Sequence, residues 1–157
     1  MLTMMQTAFD VIHRLAGKTL ATAESITAGG IGAALTAVPG ASNVYKGGII
    51  SYCDEAKGNL LGVPAAYLTN YGAVSAPVAQ AMAEGARKAF KADVAVSVTG
   101  LAGPGGDEFG PPVGTVFIGF AYENQAFARE YHFSGDREAV RGQTIEAALN
   151  IVLESLS

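Results

Sequence analysis

The 157-residue sequence contains one cysteine and no tryptophan, and only 15% of its residues are charged. Cys53 alone cannot form a disulfide within the chain, which excludes a small protein held together by disulfides. The two histidines, His13 and His132, lie far apart and show no ligand spacing typical of zinc. The sequence therefore indicates no metal site.

Basic residues and long hydrophobic runs are also scarce. Lys and Arg number 10 against 14 Asp and Glu, a net charge of −4, and no cluster of basic residues occurs. A surface for the phosphate backbone of nucleic acid is therefore absent. No apolar stretch reaches the roughly 20 residues that span a bilayer, and the N-terminus does not resemble a signal peptide. We expect a cytoplasmic protein that binds neither nucleic acid nor membranes.

Glycine, in contrast, is abundant: the 20 glycines are nearly twice the usual share of roughly 7%. This content predicts many tight turns. The length predicts one domain over residues 1–157. Because half of the residues are hydrophobic and few are charged, we also expect a homo-oligomer, most simply a dimer.

The periodicity of apolar residues predicts an α/β protein. Strands alternate with helices early in the chain, and two strands then come in succession, which predicts a three-layer α/β/α sandwich with a mixed, mostly parallel central sheet. Ser75, Asp54 and Asp136 are the predicted N-caps of three of the helices. The predicted helices cover residues 3–16, 29–35, 54–62, a stretch beginning after 75, and 136–156; the predicted strands cover 19–23, 44–53, 93–99, 113–122 and 126–133.

Three polar segments that contain glycine follow predicted strands, at residues 24–30, 52–57 and 99–114. Loops at the carboxyl ends of parallel strands gather at one edge of a sheet, where ligands bind. If the three strands are parallel, these segments share one cleft.

The first segment places Ser25 between a strand and a helix N-terminus, whose N–H groups and dipole stabilise an anion. Ser25 is a candidate nucleophile, and the alternative is an ordinary N-cap serine. The segment matches neither G-x-S-x-G nor a Walker loop.

The second segment offers a base. A lysine whose pKa is lowered by burial can deprotonate a serine, and Lys57 is the candidate, with Tyr52 placed to relay a proton. The alternative for Lys57 is an exposed helix lysine. Cys53 is a weaker nucleophile candidate than Ser25, and a buried strand cysteine is its expected role. Tyr52 and Lys57 are one residue too far apart for the Tyr-x-x-x-Lys pair of a dehydrogenase.

The third segment contains more glycines than one short connection needs, which favours close approach of its backbone to a ligand over a merely flexible loop. Arg137 and Arg141 lie one helical turn apart and suit either a phosphate or carboxylate group or a solvated helix face.

Over nearly its whole length the chain resembles the CinA C-terminal domain family. Larger members carry an additional domain before this one, and from the resemblance we expect the stand-alone form here. Thr27 and Tyr52 are among the matching residues. The longer matching motifs are AES at 23–25, LT at 35–36, VPG at 38–40, GG at 47–48, EAK at 55–57, LLGVP at 60–64, GAVS at 72–75, MAEG at 82–85, TGLAGPGG at 99–106 and PVGTV at 112–116.

Because the enzymatic members of that family are nicotinamide-nucleotide amidases, the resemblance implies deamidation of nicotinamide mononucleotide to nicotinic acid mononucleotide and ammonia, without metal or cofactor. It implies that Ser25 attacks the amide carbon, Lys57 acts as general base and Tyr52 assists proton transfer. Backbone N–H groups near residues 27–30 would hold the oxyanion. The substrate-binding residues it implies are Thr27, Gly29, Gly30, Thr99, Gly100, Gly103, Arg137 and Arg141.

In the serine turn the sequence departs from the family pattern Ala-Glu-Ser-Cys-Thr-Gly-Gly, since Ile26 replaces the cysteine and Ala28 the first glycine. Ala28 adds a methyl group where a positive φ or a close approach is expected. Two alternatives therefore stand beside the amidase: a nucleotide-binding or competence-associated partner module with weak or no turnover, and a structural oligomerisation domain.

Overall fold

Helices cover both faces of one five-stranded sheet in this protein. The structure is a computed structural model that describes residues 2–156. The elements are α1 Leu2–Arg14, β1 Leu20–Glu24, α2 Gly30–Thr36, a 3-10 turn Ala41–Asn43, β2 Tyr45–Ile50, α3 Asp54–Leu61, α4 Ala65–Tyr71, α5 Ala76–Phe90, β3 Val94–Gly100, β4 Thr115–Tyr122, β5 Gln125–His132 and α6 Arg137–Ser155.

The strands lie in the order β2-β1-β3-β4-β5. β1 is parallel to β2 and β3, whereas β4 is antiparallel to β3 and to β5. Four strands therefore share one direction and β4 opposes them. The predicted α/β fold with a mixed, mostly parallel sheet is confirmed.

Each face of the sheet has its own apolar core. α1, α2 and α6 pack on one face and α3, α4 and α5 on the other. Along β3, Val94, Val96 and Val98 belong to the first core and Ala95 to the second. Because both faces of β3 are covered, the strand is an unbroken run of buried residues rather than an alternating one.

The helix starts agree with the sequence at two predicted caps out of three. The Asp136 carboxylate accepts a 2.9 Å hydrogen bond from the Ala139 N–H and caps α6. Ser75 is at the N-cap position of α5, although its hydroxyl donates to the Gly72 carbonyl at 2.8 Å. The assignment of Asp54 is wrong, since Cys53 is the N-cap residue of α3 and Asp54 lies in the first turn.

The sheet brings the three polar segments to one edge. The carboxyl ends of the parallel strands β1, β2 and β3 lie at that edge, and β4 begins there because it runs in the opposite direction. Among residues 2–156, no helix combines the length and the apolar character that crossing a membrane requires.

Candidate active site

Ser25 begins a tight turn directly after β1. Its N–H donates to the Val98 carbonyl of β3 at 3.1 Å, and its own carbonyl accepts from the Ala28 N–H at 3.2 Å. The first bond ties the turn to the neighbouring strand and the second closes it. Ser25 is therefore held in place at the carboxyl edge of the sheet, and its side chain is buried at the base of a cavity.

Lys57 extends from α3 to the hydroxyl of Ser25. The Lys57 Nζ donates to Ser25 Oγ at 3.1 Å and to the Ser51 carbonyl at 2.9 Å, and the residue is only 2% exposed. Burial lowers the pKa of Lys57, and the nearby Asp54 and Cys53 oppose this shift only in part. Loss of water thus favours the neutral amine, which can accept a proton from Ser25.

Tyr52 lies at the rim of the cavity that Ser25 and Lys57 line. It is 61% exposed, and its hydroxyl accepts a 2.8 Å hydrogen bond from Arg137 Nη2. Within residues 2–156 its hydroxyl has no hydrogen bond to Ser25 or Lys57. Cys53 is exposed rather than buried, so the expectation of a buried strand cysteine is wrong.

Arg137 joins two of the three polar segments. Besides its bond to Tyr52, its Nη1 donates to the Gly103 carbonyl at 2.8 Å. Gly103 has a φ of 87°, and a Cβ there would lie 2.5 Å from Val113 Cγ1, so this position of the loop requires glycine. The guanidinium places a positive charge at the mouth of the cavity.

The cavity has a volume of about 280 Å³, near the lower limit of small-molecule sites. Its lining combines Ser25 and Lys57 with the backbone of the glycine-rich loop. A larger open hollow of about 850 Å³ lies at the opposite edge, but its lining contains no hydroxyl or thiol group. The residues that line the smaller cavity are Ser25, Ile26, Tyr52, Asp54, Lys57, Ala73, Val74, Thr99, Gly100, Leu101, Ala102, Gly103, Gly105, Asp107 and Arg137.

Internal bonds engage several polar groups that the sequence suggested for the substrate. The Thr27 hydroxyl donates to the Glu24 carboxylate at 2.6 Å, and the Gly30 N–H donates to the Thr27 carbonyl at 3.0 Å. The Thr99 hydroxyl donates to the Ala73 carbonyl at 2.9 Å. Thr99 and Gly100 line the cavity, whereas Thr27, Gly29 and Gly30 do not.

The amides closest to Ser25 in the turn are free to act as donors. Within residues 2–156, no acceptor pairs with the N–H groups of Ile26 and Thr27, in contrast to those of Ala28 and Gly30. Of the predicted oxyanion donors at residues 27–30, the N–H groups of Thr27 and Gly29 are thus unpaired in the described part of the chain, and the unpaired N–H of Ile26 lies nearer to the serine in the sequence. Such N–H groups stabilise a developing oxyanion in acyl transfer.

Arg141 is oriented differently from Arg137. It does not line the cavity of Ser25. Its Nε donates to the Ile26 carbonyl at 3.0 Å and its Nη2 to the Thr27 carbonyl at 3.1 Å. The two arginines are neighbours on α6, but their guanidinium groups bond to different segments, Arg137 to Tyr52 and Gly103 and Arg141 to the serine turn.

Two residues of the site could not be assigned a role from the sequence. Glu24, only 2% exposed, accepts hydrogen bonds from the Ile31 N–H at 2.8 Å and the Gly32 N–H at 3.0 Å as well as from Thr27. The Ser51 backbone carbonyl holds Lys57. The position of Glu24, an acidic residue just before a glycine-rich helix start, is a sequence signal that could have pointed to its role. The contact of Lys57 with the Ser51 carbonyl involves backbone atoms, so no residue type indicates it.

Over the described residues 2–156, no three His, Cys, Asp or Glu side chains form a cluster suited to a metal ion. The site is thus built from a serine, a buried lysine, backbone amides and an arginine at the rim.

Comparison with known proteins agrees with this architecture. The sequence model of the CinA C-terminal domain family matches residues 3–156 of this chain. The chain belongs to this family. A CinA-like protein of Geobacter metallireducens is 47% identical over 139 residues, which are 88% of this chain and 34% of that protein. A CinA-like protein of Mycolicibacterium gilvum is 46% identical over 149 residues, 94% of this chain and 35% of that protein.

CinA-superfamily structures have the same fold. The crystal structure of the CinA superfamily protein KP700603 from Klebsiella pneumoniae superposes with a TM-score of 0.95 at 36% identity, covering 98% of this chain and 97% of that one. The competence/damage inducible protein CihA of Agrobacterium tumefaciens gives a TM-score of 0.93 at 37% identity, covering 98% and 95%. The chain spans about a third of the length of the curated CinA-like relatives it matches.

Proposed function

We propose that this CinA-family domain hydrolyses the carboxamide of nicotinamide mononucleotide to nicotinic acid mononucleotide and ammonia. The observation that carries the proposal is the 3.1 Å contact between the Ser25 hydroxyl and the buried amine of Lys57. A serine next to a lysine that burial favours in the neutral form is an activated nucleophile of the kind used in acyl transfer. The substrate class comes from the family.

In the first step Ser25 Oγ forms a bond to the amide carbon while its proton passes to Lys57 Nζ. The carbonyl oxygen becomes an oxyanion, and the N–H groups of Ile26 and Thr27 are the proposed donors to it. Lys57 then gives the proton to the amide nitrogen, the C–N bond breaks and ammonia leaves. An ester between Ser25 and the nicotinoyl group remains.

In the second step water completes the reaction. Lys57, neutral again, removes a proton from water as the water oxygen attacks the ester carbon. The bond to Ser25 Oγ breaks, the proton returns to that oxygen, and nicotinic acid mononucleotide is released. One water enters and one ammonia leaves, so no other reactant is needed.

Recognition of the mononucleotide is proposed to depend on the mouth of the cavity. The Arg137 guanidinium is exposed there, and the substrate carries one phosphate group. Arginine forms paired, charge-assisted hydrogen bonds with phosphate. Tyr52 shares this arginine, so its hydroxyl is proposed to contact the ribose phosphate or to relay a proton after Arg137 turns to the substrate.

The test is to incubate the purified protein with nicotinamide mononucleotide and to measure both ammonia and nicotinic acid mononucleotide. We expect turnover by the wild-type protein and at least a roughly 1000-fold loss in Ser25→Ala and in Lys57→Met. Lys46→Met, at an exposed position on β2, is the matched control and should retain full activity. Full turnover by either site variant would overturn the proposed chemistry.

The alternative nucleotide-binding module makes a different prediction in the same experiment. It predicts saturable binding of the mononucleotide, measured by calorimetry, with no product from the wild-type protein. A structural oligomerisation domain predicts neither. Dimer formation and a cytoplasmic location stay predictions of the sequence.

A further inference from the structure

The carbonyl groups of the two residues that follow Ser25 share one arginine. Arg141 extends from α6 to the Ile26 carbonyl at 3.0 Å and to the Thr27 carbonyl at 3.1 Å, with different nitrogens of its guanidinium. The side chain is half-buried, and α6 belongs to the helical layer on one face of the sheet. Arg141, 114 positions after Thr27 in the chain, thus binds the serine turn through two hydrogen bonds.

The orientation of a peptide carbonyl also sets the orientation of the N–H on the same peptide plane. The Ile26–Thr27 peptide is trans, so the Thr27 N–H points away from the carbonyl that Arg141 binds. A cation on the carbonyl oxygen also polarises the peptide group and strengthens its N–H as a donor. Arg141 therefore acts, through one peptide plane, on an N–H proposed to stabilise the oxyanion.

A second charged side chain holds the turn through other atoms. Glu24 accepts from the Thr27 hydroxyl at 2.6 Å and from the Ile31 N–H at 2.8 Å, which joins the turn to the start of α2. Arg141 binds the backbone of Thr27 and Glu24 binds its side chain. With both contacts in place the turn has little freedom to rotate.

We propose that Arg141 is a positioning residue, which orients the Ile26–Thr27 peptide for oxyanion stabilisation and does not bind the substrate phosphate. The proposal rests on the proposed function for its turnover readout. Arg137 lines the cavity and Arg141 does not. Two nitrogens of the Arg141 guanidinium already donate hydrogen bonds to the turn.

The first experiment measures kcat and KM for nicotinamide mononucleotide in Arg141→Met and Arg141→Lys. Removing one oxyanion donor costs about 100- to 1000-fold in kcat. A donor that is present but badly oriented should cost less, so we expect Arg141→Met to lower kcat about 10- to 100-fold with KM within about threefold of wild type. Lysine can reach only one of the two carbonyls, so the kcat of Arg141→Lys should lie between those of Arg141→Met and the wild-type protein.

The second experiment needs no natural substrate. A fluorophosphonate reacts with an activated serine: the Ser25 Oγ–P bond forms, the P–F bond breaks, fluoride leaves, and the serine proton passes to Lys57. The rate of this labelling, followed by mass spectrometry, should fall about tenfold or more in Arg141→Met. Arg129→Met, which removes an exposed arginine paired with Glu154, is the control for loss of a positive charge and should label at the wild-type rate.

The outcomes separate this proposal from the proposed function. If no pyridine nucleotide is hydrolysed but Ser25 is labelled, the proposed function fails and the labelling rates still decide the role of Arg141. Wild-type kcat and labelling rates in Arg141→Met overturn the positioning role, as does a rise in KM at unchanged kcat, which would indicate a phosphate contact. If Arg141→Met does not fold, wild-type rates in a folded Arg141→Lys overturn it instead.

Discussion

The Lys57 Nζ lies 3.1 Å from Ser25 Oγ, although 32 residues separate them in the chain. Ser25 follows β1, and Lys57 extends from the helix that follows the adjacent parallel strand β2. The contact therefore depends on the pairing of these two strands. Burial of Lys57 at this contact should therefore set the pH dependence of the reaction.

The rate of hydrolysis should rise with pH as Lys57 loses its proton. Burial lowers the pKa of Lys57 in the folded protein, and only the neutral amine can take the serine proton. We expect kcat/KM to increase through a pKa below the ordinary value of 10.5 and to level off above it. The measurement is a pH–rate profile for nicotinamide mononucleotide.

Labelling of Ser25 by a fluorophosphonate should follow the same acid limb, since the same base is used. A profile that is flat where Lys57 titrates, or a limb that persists in Lys57→Met, would contradict the role of Lys57 as base.

Substitution of Arg137 should change substrate selectivity. Arg137→Met removes the cation at the cavity mouth, and a charge-assisted bond to phosphate contributes about 1.5–3 kcal/mol. We expect kcat/KM for nicotinamide mononucleotide to fall about 10- to 100-fold, and that for nicotinamide riboside, which lacks the phosphate, to change less than about threefold. Equal losses for both substrates would show that Arg137 does not recognise phosphate.

The two residues before α2 should respond in opposite ways to exchange of alanine and glycine. Ala28 is exposed with a φ of 47°, which strains an L-residue, so Ala28→Gly should raise the free energy of unfolding by up to about 1 kcal/mol. Gly29 has a φ of 97°, and a Cβ there would lie 3.2 Å from Ile50 Cδ1. Gly29→Ala should cost about 1–3 kcal/mol.

Denaturant unfolding followed by circular dichroism measures both values. Gly17→Ala is the matched control for Gly29, because its φ is 89° and no atom lies within 4 Å of the added Cβ. A larger cost in Gly17→Ala than in Gly29→Ala would contradict the role of the Ile50 contact.

Glu24 should prove essential to the stability of the serine turn. Both of its oxygens accept backbone N–H bonds, from Ile31 and from Gly32, and the amide nitrogen of glutamine cannot accept either. One buried N–H is then left unpaired, so Glu24→Gln should lower the free energy of unfolding by about 1–3 kcal/mol.

The matched control for Glu24 is Glu84→Gln on the exposed side of α5, expected to change the free energy of unfolding by less than about 0.5 kcal/mol. Equal effects at Glu24 and Glu84 would mean that the carboxylate does not anchor the turn.

The sequence alone was enough to predict the strand, turn and helix around Ser25 and the class of the fold. These features depend on local patterns: apolar residues in strands, glycines at helix starts, and an aspartate at the start of α6. The sequence placed the three polar segments at one edge only on condition that β1, β2 and β3 are parallel, and the structure shows that they are.

Contacts between distant residues do not follow from such local patterns: the sequence offered Lys57 as a partner of Ser25 only beside the alternative of an exposed helix lysine. Because Arg137 and Arg141 lie one turn apart on α6, their spacing indicated one shared role for the two side chains. In the structure one faces the cavity and the other the carbonyls of Ile26 and Thr27. The direction of each side chain depends on how α6 packs against the sheet. The spacing of the two residues along the helix does not determine that packing.

By itself, then, the sequence determined the elements of the fold and the residue types available at the sheet edge, because local propensity and hydrophobic periodicity are properties of neighbouring residues. Only the tertiary structure decided that Lys57 is buried against Ser25, that Tyr52 is held by Arg137, and that Glu24 anchors the turn. Burial and hydrogen-bond partners arise when separate segments pack together, and packing removes the water that stabilises the charged form of the lysine, which lowers the pKa of Lys57.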